Sequence, residues 1–207
     1  MVDDSSFAPV HEVRPVVESE IGPIVELLVR AFDDDPVPNY MFGSDRSRRI
    51  GLRKFFTIQL KRGYMPRGEV WTTPGRAGAA LWGLPGTHRS AMRELMNLVP
   101  ILPQFATGAH PLDAFRLLGE VDAARPKESH WYLATLGTEP ALQGQGVGSA
   151  LMTHALKRVD AEGLPAYLES SKERNVPFYA RHGFKVTREL QAPRGGPKIW
   201  LMWREPK

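Results

Sequence analysis

Three glycines alternate within five residues at Gln143-Gly144-Gln145-Gly146-Val147-Gly148, and Ser149 opens an apolar-periodic stretch behind them. Glycine lets a backbone come close to a ligand, and the first turn of a helix offers unpaired N–H groups and positive dipole charge. That combination selects an anion, and a pyrophosphate fits it. Farther along, Asn175 and Tyr179 stand four residues apart, which places both on one face of a helix. Asp33, Asp34 and Asp35, followed by Tyr40, make an acidic and aromatic stretch suited to a cationic substrate. As a bare charge run the same residues are more often a solvated loop. Cysteine is absent, which excludes disulfides, thiolate zinc sites and cysteine nucleophiles. None of the six histidines forms a pair at metal-ligand spacing, so no metal site is expected.

These residues need elements to hold them. Trp131–Thr138 reads as a strand, aromatic and β-branched, entering the glycines; residues 146–162 read as the helix leaving them. A strand is expected at Ala166–Ser170 and a short helix at Asn175–Arg181, with Gly183 as a left-handed cap. Residues 184–190 and 198–204 form a final strand pair around a Pro- and Gly-rich loop. In the first half, a strand is expected at 11–16 and a helix at 20–31 capped by Ser19. Pro36 and Pro38 predict a loop over 32–43, and a second helix runs from Ser44 or Asp45 to about Arg62. Residues 69–73 and 77–84 read as strands about a Pro74-Gly75-Arg76 turn. Residues 90–124 read as helices broken by prolines, either an insertion forming one wall of a pocket or, with equal weight for most of its apolar residues, ordinary core packing. The fold class is therefore α/β with a mixed sheet, in a single domain over 1–207 with a disordered lead-in at 1–9.

At 207 residues, 42% hydrophobic and 24% charged, the composition is that of an ordinary globular domain. No apolar run approaches the ~20 residues of a membrane span, and the acidic start lacks the features of a signal peptide. A cytoplasmic protein, monomer or homodimer, without membrane or nucleic-acid partners is expected. The net charge of +4 suits an anionic ligand and falls short of a nucleic-acid signature. The cluster Arg46, Arg48, Arg49, Arg53, Lys54 is read as a solvated helix face.

The glycine loop is not a dinucleotide fingerprint, because Ser149 occupies the third glycine position and Pro140 separates loop from strand. It is not a nucleoside-triphosphate loop either, because no Gly-Lys-Ser/Thr occurs. Incidental glycines at a helix start are a weaker account, since three such residues are costly to order. The pattern [Gln/Arg]-x-x-Gly-x-[Gly/Ala], with Pro140 shortly before it, resembles the acetyl-CoA pyrophosphate loop of the GNAT superfamily of N-acetyltransferases. Asn175-Val176-Pro177-Phe178-Tyr179 and Gly183-Phe184 resemble the second half of that cofactor site. The segments around residues 125–135, 168–179 and 197–202 are similar to puromycin N-acetyltransferase and its relatives.

The resemblance implies a GNAT-like fold: a central, mostly antiparallel sheet flanked by helices, with a parallel strand pair that splays apart. Acetyl-CoA would insert at the splay, its pantetheine arm pairing with Leu136, Gly137 and Thr138. Its pyrophosphate would take N–H groups of Gln143, Gly144, Gln145, Gly146, Val147, Gly148 and Ser149, and Asn175 would hold a pantetheine amide. A bulge at the strand end can aim an N–H at the thioester oxygen. Tyr179 is implied as the acid that protonates the CoA thiolate and Glu169 as the general base. The expected reaction is direct acetyl transfer to a small-molecule amine, antibiotic-like or a metabolite. A non-catalytic acyl-CoA sensor and a protein or peptide acetyltransferase are the alternatives.

Overall fold

The computed structural model describes residues 12–67, 69–86, 99–108 and 111–207. The expected lead-in at 1–9 and the first part of the helical insertion, 90–98, lie outside them. Helix α1 (Ile21–Ala31) buries Ile24, Val25 and Leu28, as the apolar spacing requires. Ser19 does not cap it: it sits inside a 3-10 turn, Glu18–Glu20, where the Glu20 carboxylate accepts the Val17 N–H instead. The expected strand at 11–16 contracts to β1 (Arg14–Pro15), an edge strand whose Arg14 reaches Glu20 at 2.7 Å.

Residues 32–43 correct the loop expectation. They contain a short helix α2 (Pro36–Met41), because Pro36 stands at its start, where a missing N–H costs nothing. Asp35 caps that helix, accepting the Val37 N–H at 3.0 Å. Helix α3 (Asp45–Ile58) begins at Ser44, whose hydroxyl accepts the Ser47 N–H, and continues into a wider π-helical turn, Gln59–Tyr64. The basic cluster on α3 is not simply solvated. Arg48 is buried and bonds Asp33 and Asp45, Arg49 bonds Asp33, and Arg53 bonds Glu26 on α1.

Strands β2 (Val70–Thr72) and β3 (Gly78–Gly83) follow, then helices α4 (Leu102–Phe105) and α5 (Pro111–Ala123). The second half alternates β4 (Trp131–Thr138), α6 (Val147–Ala161), β5 (Ala166–Ser170), α7 (Val176–Arg181), β6 (Lys185–Gln191) and β7 (Lys198–Arg204). Seven strands form one sheet in the order β1-β2-β3-β4-β5-β7-β6, antiparallel except for the pair β4–β5. Helix α6 buries Leu151, Met152 and Val159 against one face, with Trp82, Trp131 and Leu168. On the other face α1 and α3 cover Ala79 and Leu81, while Leu117 of α5 meets Tyr167 and Leu201. Tight contact fixes α1 on β4: a Cβ at Gly137 would stand 2.6 Å from Leu28 Cδ2.

Two irregularities open the middle of the sheet. Leu81 pairs Thr135 while Trp82 pairs Leu133, so Ala134 is an extra residue bulged out of β4. Pairing with β5 stops at the same level, after Leu133↔Leu168, although β4 runs on to Thr138. The parallel pair therefore parts where the bulge bends β4 away.

Candidate active site

The parting leads into a cleft of about 470 Å³. One lip is the turn from β4 into α6. Gly144 and Gly146 adopt φ of +79° and +88°, the left-handed region that glycine enters without strain. This bends the chain so that α6 starts abruptly, with Gly146 as its cap residue. The N–H groups of Gly144, Gly146, Val147, Gly148 and Ser149 have no acceptor among the described residues. They form an anion cradle at the positive end of a 15-residue helix. The N–H groups of Gln143 and Gln145 turn back onto Pro140 and Leu142 carbonyls at 3.4 Å, and Gln145 does not line the cleft.

The other lip is the turn from β5 into α7. Asn175 and Tyr179 both line the cleft, and the Asn175 side-chain amide is unbonded among the described residues. Tyr179 is 8% exposed, and its hydroxyl likewise has no partner among the described residues. Burial, and then the charge of Asp35, push its phenol well above the ordinary range and keep the proton on it. The floor is β4 itself, with Leu136, Gly137 and Thr138 along the cleft.

The three aspartates have separate fates. Asp33 is bound to Arg48 and Arg49, and Asp34 to Lys172 and Arg174, so neither faces the cleft as a free charge. Asp35 lines the cleft, 4% exposed, and Ser171 donates its hydroxyl to Oδ2 at 2.7 Å. Desolvation raises the Asp35 pKa, opposed by the Ser171 and Val37 bonds. Tyr40 does not reach the cleft. Its hydroxyl donates to the Pro193 carbonyl at 3.0 Å, strutting α2 against the β6–β7 loop.

Glu169 lies at the end of β5, outside the cleft lining. Tyr132 donates its hydroxyl to Glu169 Oε2 at 2.6 Å, and Arg125 Nε donates to Oε1 at 3.3 Å. The Arg125 guanidinium also stands 4.5 Å over the Tyr132 ring. The sequence reading missed this packing and missed the cations Lys172, Arg174 and Arg181 on the second lip. Their signal was present, since all three flank the Asn175–Tyr179 motif.

A sheet split at a parallel pair, with unpartnered N–H groups on one lip and a buried phenol on the other among the described residues, is an arrangement suited to an acyltransferase. The comparisons agree. Residues 109–184 match the acetyltransferase (GNAT) family model. An uncharacterized N-acetyltransferase of Schizosaccharomyces pombe is 28% identical over 193 residues, covering 87% of this chain and 77% of the relative. A crystal structure of a histone acetyltransferase HPA2-related acetyltransferase from Corynebacterium glutamicum superposes with a TM-score of 0.69 at 28% identity. That match covers 94% of this chain and 96% of the other. The fold is shared with arylalkylamine N-acetyltransferase 2 of Aedes aegypti, TM-score 0.64 at 13% identity, over 95% and 99% of the two chains. It is shared also with polyamine N-acetyltransferase of Drosophila melanogaster, TM-score 0.62 at 16% identity, over 94% and 99%. Together these comparisons support a GNAT-superfamily N-acetyltransferase.

Among the described residues no helix is long and apolar enough to cross a membrane.

Proposed function

We propose that this protein transfers an acetyl group from acetyl-CoA directly to the amine of a small molecule in the cytoplasm. The observation that carries this reading is the convergence of two unsatisfied donor sets on one cleft. Five N–H groups without partners among the described residues suit a pyrophosphate, and the Tyr179 hydroxyl, likewise without one among them, suits a departing sulfur. Acetyl-CoA supplies the activated acetyl thioester. The backbone of Leu136, Gly137 and Thr138 lies where a pantetheine arm would pair as an added strand, with Asn175 within the same cleft for its amide.

Asp35 receives the acceptor ammonium. Among the described residues it is the one aspartate of the three not bonded by a guanidinium or an ammonium, and burial makes it a better base than an exposed carboxylate. The proton leaves the amine for Asp35, and Tyr179 gives its own proton to the sulfur. Glu169 is assigned a different part from the general base that the resemblance implied. With Tyr132 and Arg125 it braces the end of β5 at the opening. A small amine as acceptor is supported by the fold neighbours, whose names give polyamines and arylalkylamines as substrates.

Calorimetry with CoA and a thiol-release screen over aliphatic, aromatic and polyamine acceptors test this directly. Micromolar CoA binding and release of thiol with at least one amine are expected. Absence of CoA binding at millimolar concentration overturns the proposal.

A further inference from the structure

Two adjacent carboxylates of the α1–α2 turn meet two adjacent residues beyond the end of β5. Asp34 bonds the Lys172 ammonium, and Asp35 accepts the Ser171 hydroxyl at 2.7 Å. The two contacts are rungs of one short ladder, so Lys172 is held beside the carboxylate assigned above to the acceptor amine. Lys172, Asp35 and Tyr179 all line the cleft. Burial raises the Asp35 pKa, while its bonds to Ser171 and Val37 and then the Lys172 charge pull it down. The charge of Asp35 in turn adds to the burial that raises the Tyr179 pKa. An amine, a base and an acid therefore stand within electrostatic reach of one another in one cleft.

Chemistry and tether set Lys172 apart from the other cations of the cleft. Arg174 and Arg181 carry guanidinium groups that stay protonated, whereas a lysine becomes a nucleophile once it gives up a proton. The Lys172 side chain is 11% exposed, so it runs along the cleft wall instead of out into solvent. Its partner Asp34 is 58% exposed, and a contact to so exposed a carboxylate holds by about 1 kcal/mol or less. Asp34 also keeps Arg174 Nη2 at 2.5 Å, so it still has a cation when the ammonium moves away.

We propose that Lys172 is a self-acetylation site: with acetyl-CoA bound and no acceptor present, its Nζ takes the acetyl group within the same molecule. This rests on the acetyl-CoA reading above. The ammonium gives one proton to Asp35, and the nitrogen lone pair forms the C–N bond to the acetyl carbon. The C–S bond breaks with its electron pair on sulfur, which takes the Tyr179 proton, and a second nitrogen proton restores the phenol. The products are Nζ-acetyl-lysine and CoA thiol, with one proton on Asp35. Acetylation removes the lysine charge and with it the ionic rung to Asp34.

The test incubates wild type, Lys172→Arg and Tyr179→Phe with acetyl-CoA alone and locates acetylated lysines by peptide mass mapping. Wild type is expected to gain a single fast acetyl group at Lys172, while the exposed Lys157 and Lys185 report slow chemical acetylation. The rate constant should hold when the protein is diluted about tenfold, as for a reaction within one molecule. It should fall about 10²-fold in Tyr179→Phe, and the fast phase should vanish in Lys172→Arg. Lys172 modified no faster than Lys157 and Lys185 overturns the proposal. A rate proportional to protein concentration, or one unchanged in Tyr179→Phe, overturns it as well. If Lys172 stays unmodified while CoA binds and an added amine releases thiol, self-acetylation alone is refuted; if CoA does not bind, the acetyl-CoA reading beneath it falls.

Discussion

Replacing Tyr179 by Phe removes one oxygen and leaves the ring among its neighbours, Phe178 at 5.1 Å and Phe184 at 6.3 Å between centroids. The hydroxyl has no partner among the described residues, so no hydrogen bond is lost in the free protein. The stability change should therefore be about 1 kcal/mol or less. CoA affinity should hold within about twofold, because on the proposed reading the cradle and Asn175 carry binding and the phenol acts only as charge develops on sulfur. Loss of a positioned acid typically removes about 10²–10⁴-fold in rate, or about 2.7–5.4 kcal/mol of barrier. The measurement is single-turnover acetyl transfer followed by thiol release, so that product dissociation cannot mask the chemical step. The pH profile adds a second reading. Acid function is lost as pH rises through the Tyr179 pKa, which burial raises, so the alkaline limb of wild type should lie above the ordinary phenol range. The limb should vanish in Tyr179→Phe. A single-turnover rate within threefold of wild type would refute the assignment of the phenol as acid.

Asp35→Asn keeps an acceptor for the Val37 N–H and the Ser171 hydroxyl but cannot take a proton. It should lower kcat about 10²-fold or more and erase the acid limb of kcat/KM, which burial of Asp35 should raise in wild type relative to an exposed carboxylate; an intact limb would clear Asp35 of the role. Gly144→Ala adds a methyl into open space at φ +79°, so its cost is backbone strain of about 1–2 kcal/mol spread between folding and cradle shape. CoA affinity should fall about tenfold in calorimetry, and an unchanged value would show that the turn plays no part in binding. Arg14 holds Glu20 at a pKa of about 2, below the reference 4.5, so the pair adds stability above pH 4.5 that is lost as pH falls toward 2. Arg14→Ala should cost about 1–2 kcal/mol at neutral pH and flatten that acid limb in denaturant titrations. A parallel shift at all pH values would contradict the pairing.

Most of the second half was legible because its signals are local. Glycines 144 and 146 sit between an alternating strand and a 3.6-periodic helix whose first turn holds Gly148, and the structure forms both where the pattern puts them. Gly183, at φ +91°, closes α7 as expected of a left-handed cap. The first half was harder for physical reasons. Pro36 and Pro38 read as breakers, but proline is tolerated in the opening turn of a helix, and α2 is scarcely longer than that turn. The acidic stretch could not be divided by sequence, since which carboxylate meets a cation depends on partners far along the chain. Arg48 and Arg49 are 15 and 16 residues from Asp33, and Lys172 is 138 from Asp34. Tyr40 was misjudged in the same way, its partner Pro193 lying 153 residues on. Glu169 was seen as a carboxylate at an opening, but no local pattern reveals that Tyr132 and Arg125 reach it first.

The parting of β4 from β5 leaves a raw edge in the interior of a sheet that has only three residue pairs joining those strands. Half of the peptide groups beyond the bulge face β3, and the other half face the opening with no strand to meet them. Amide exchange should record this directly: alternate positions of 134–138 exchange fast in the free protein, and protection spreads to them when a ligand arm fills the gap. An exposed run of peptide groups is also what invites foreign strands. Here it is sunk between two lips, so the fold keeps that edge within reach of a ligand arm while shielding it from other chains.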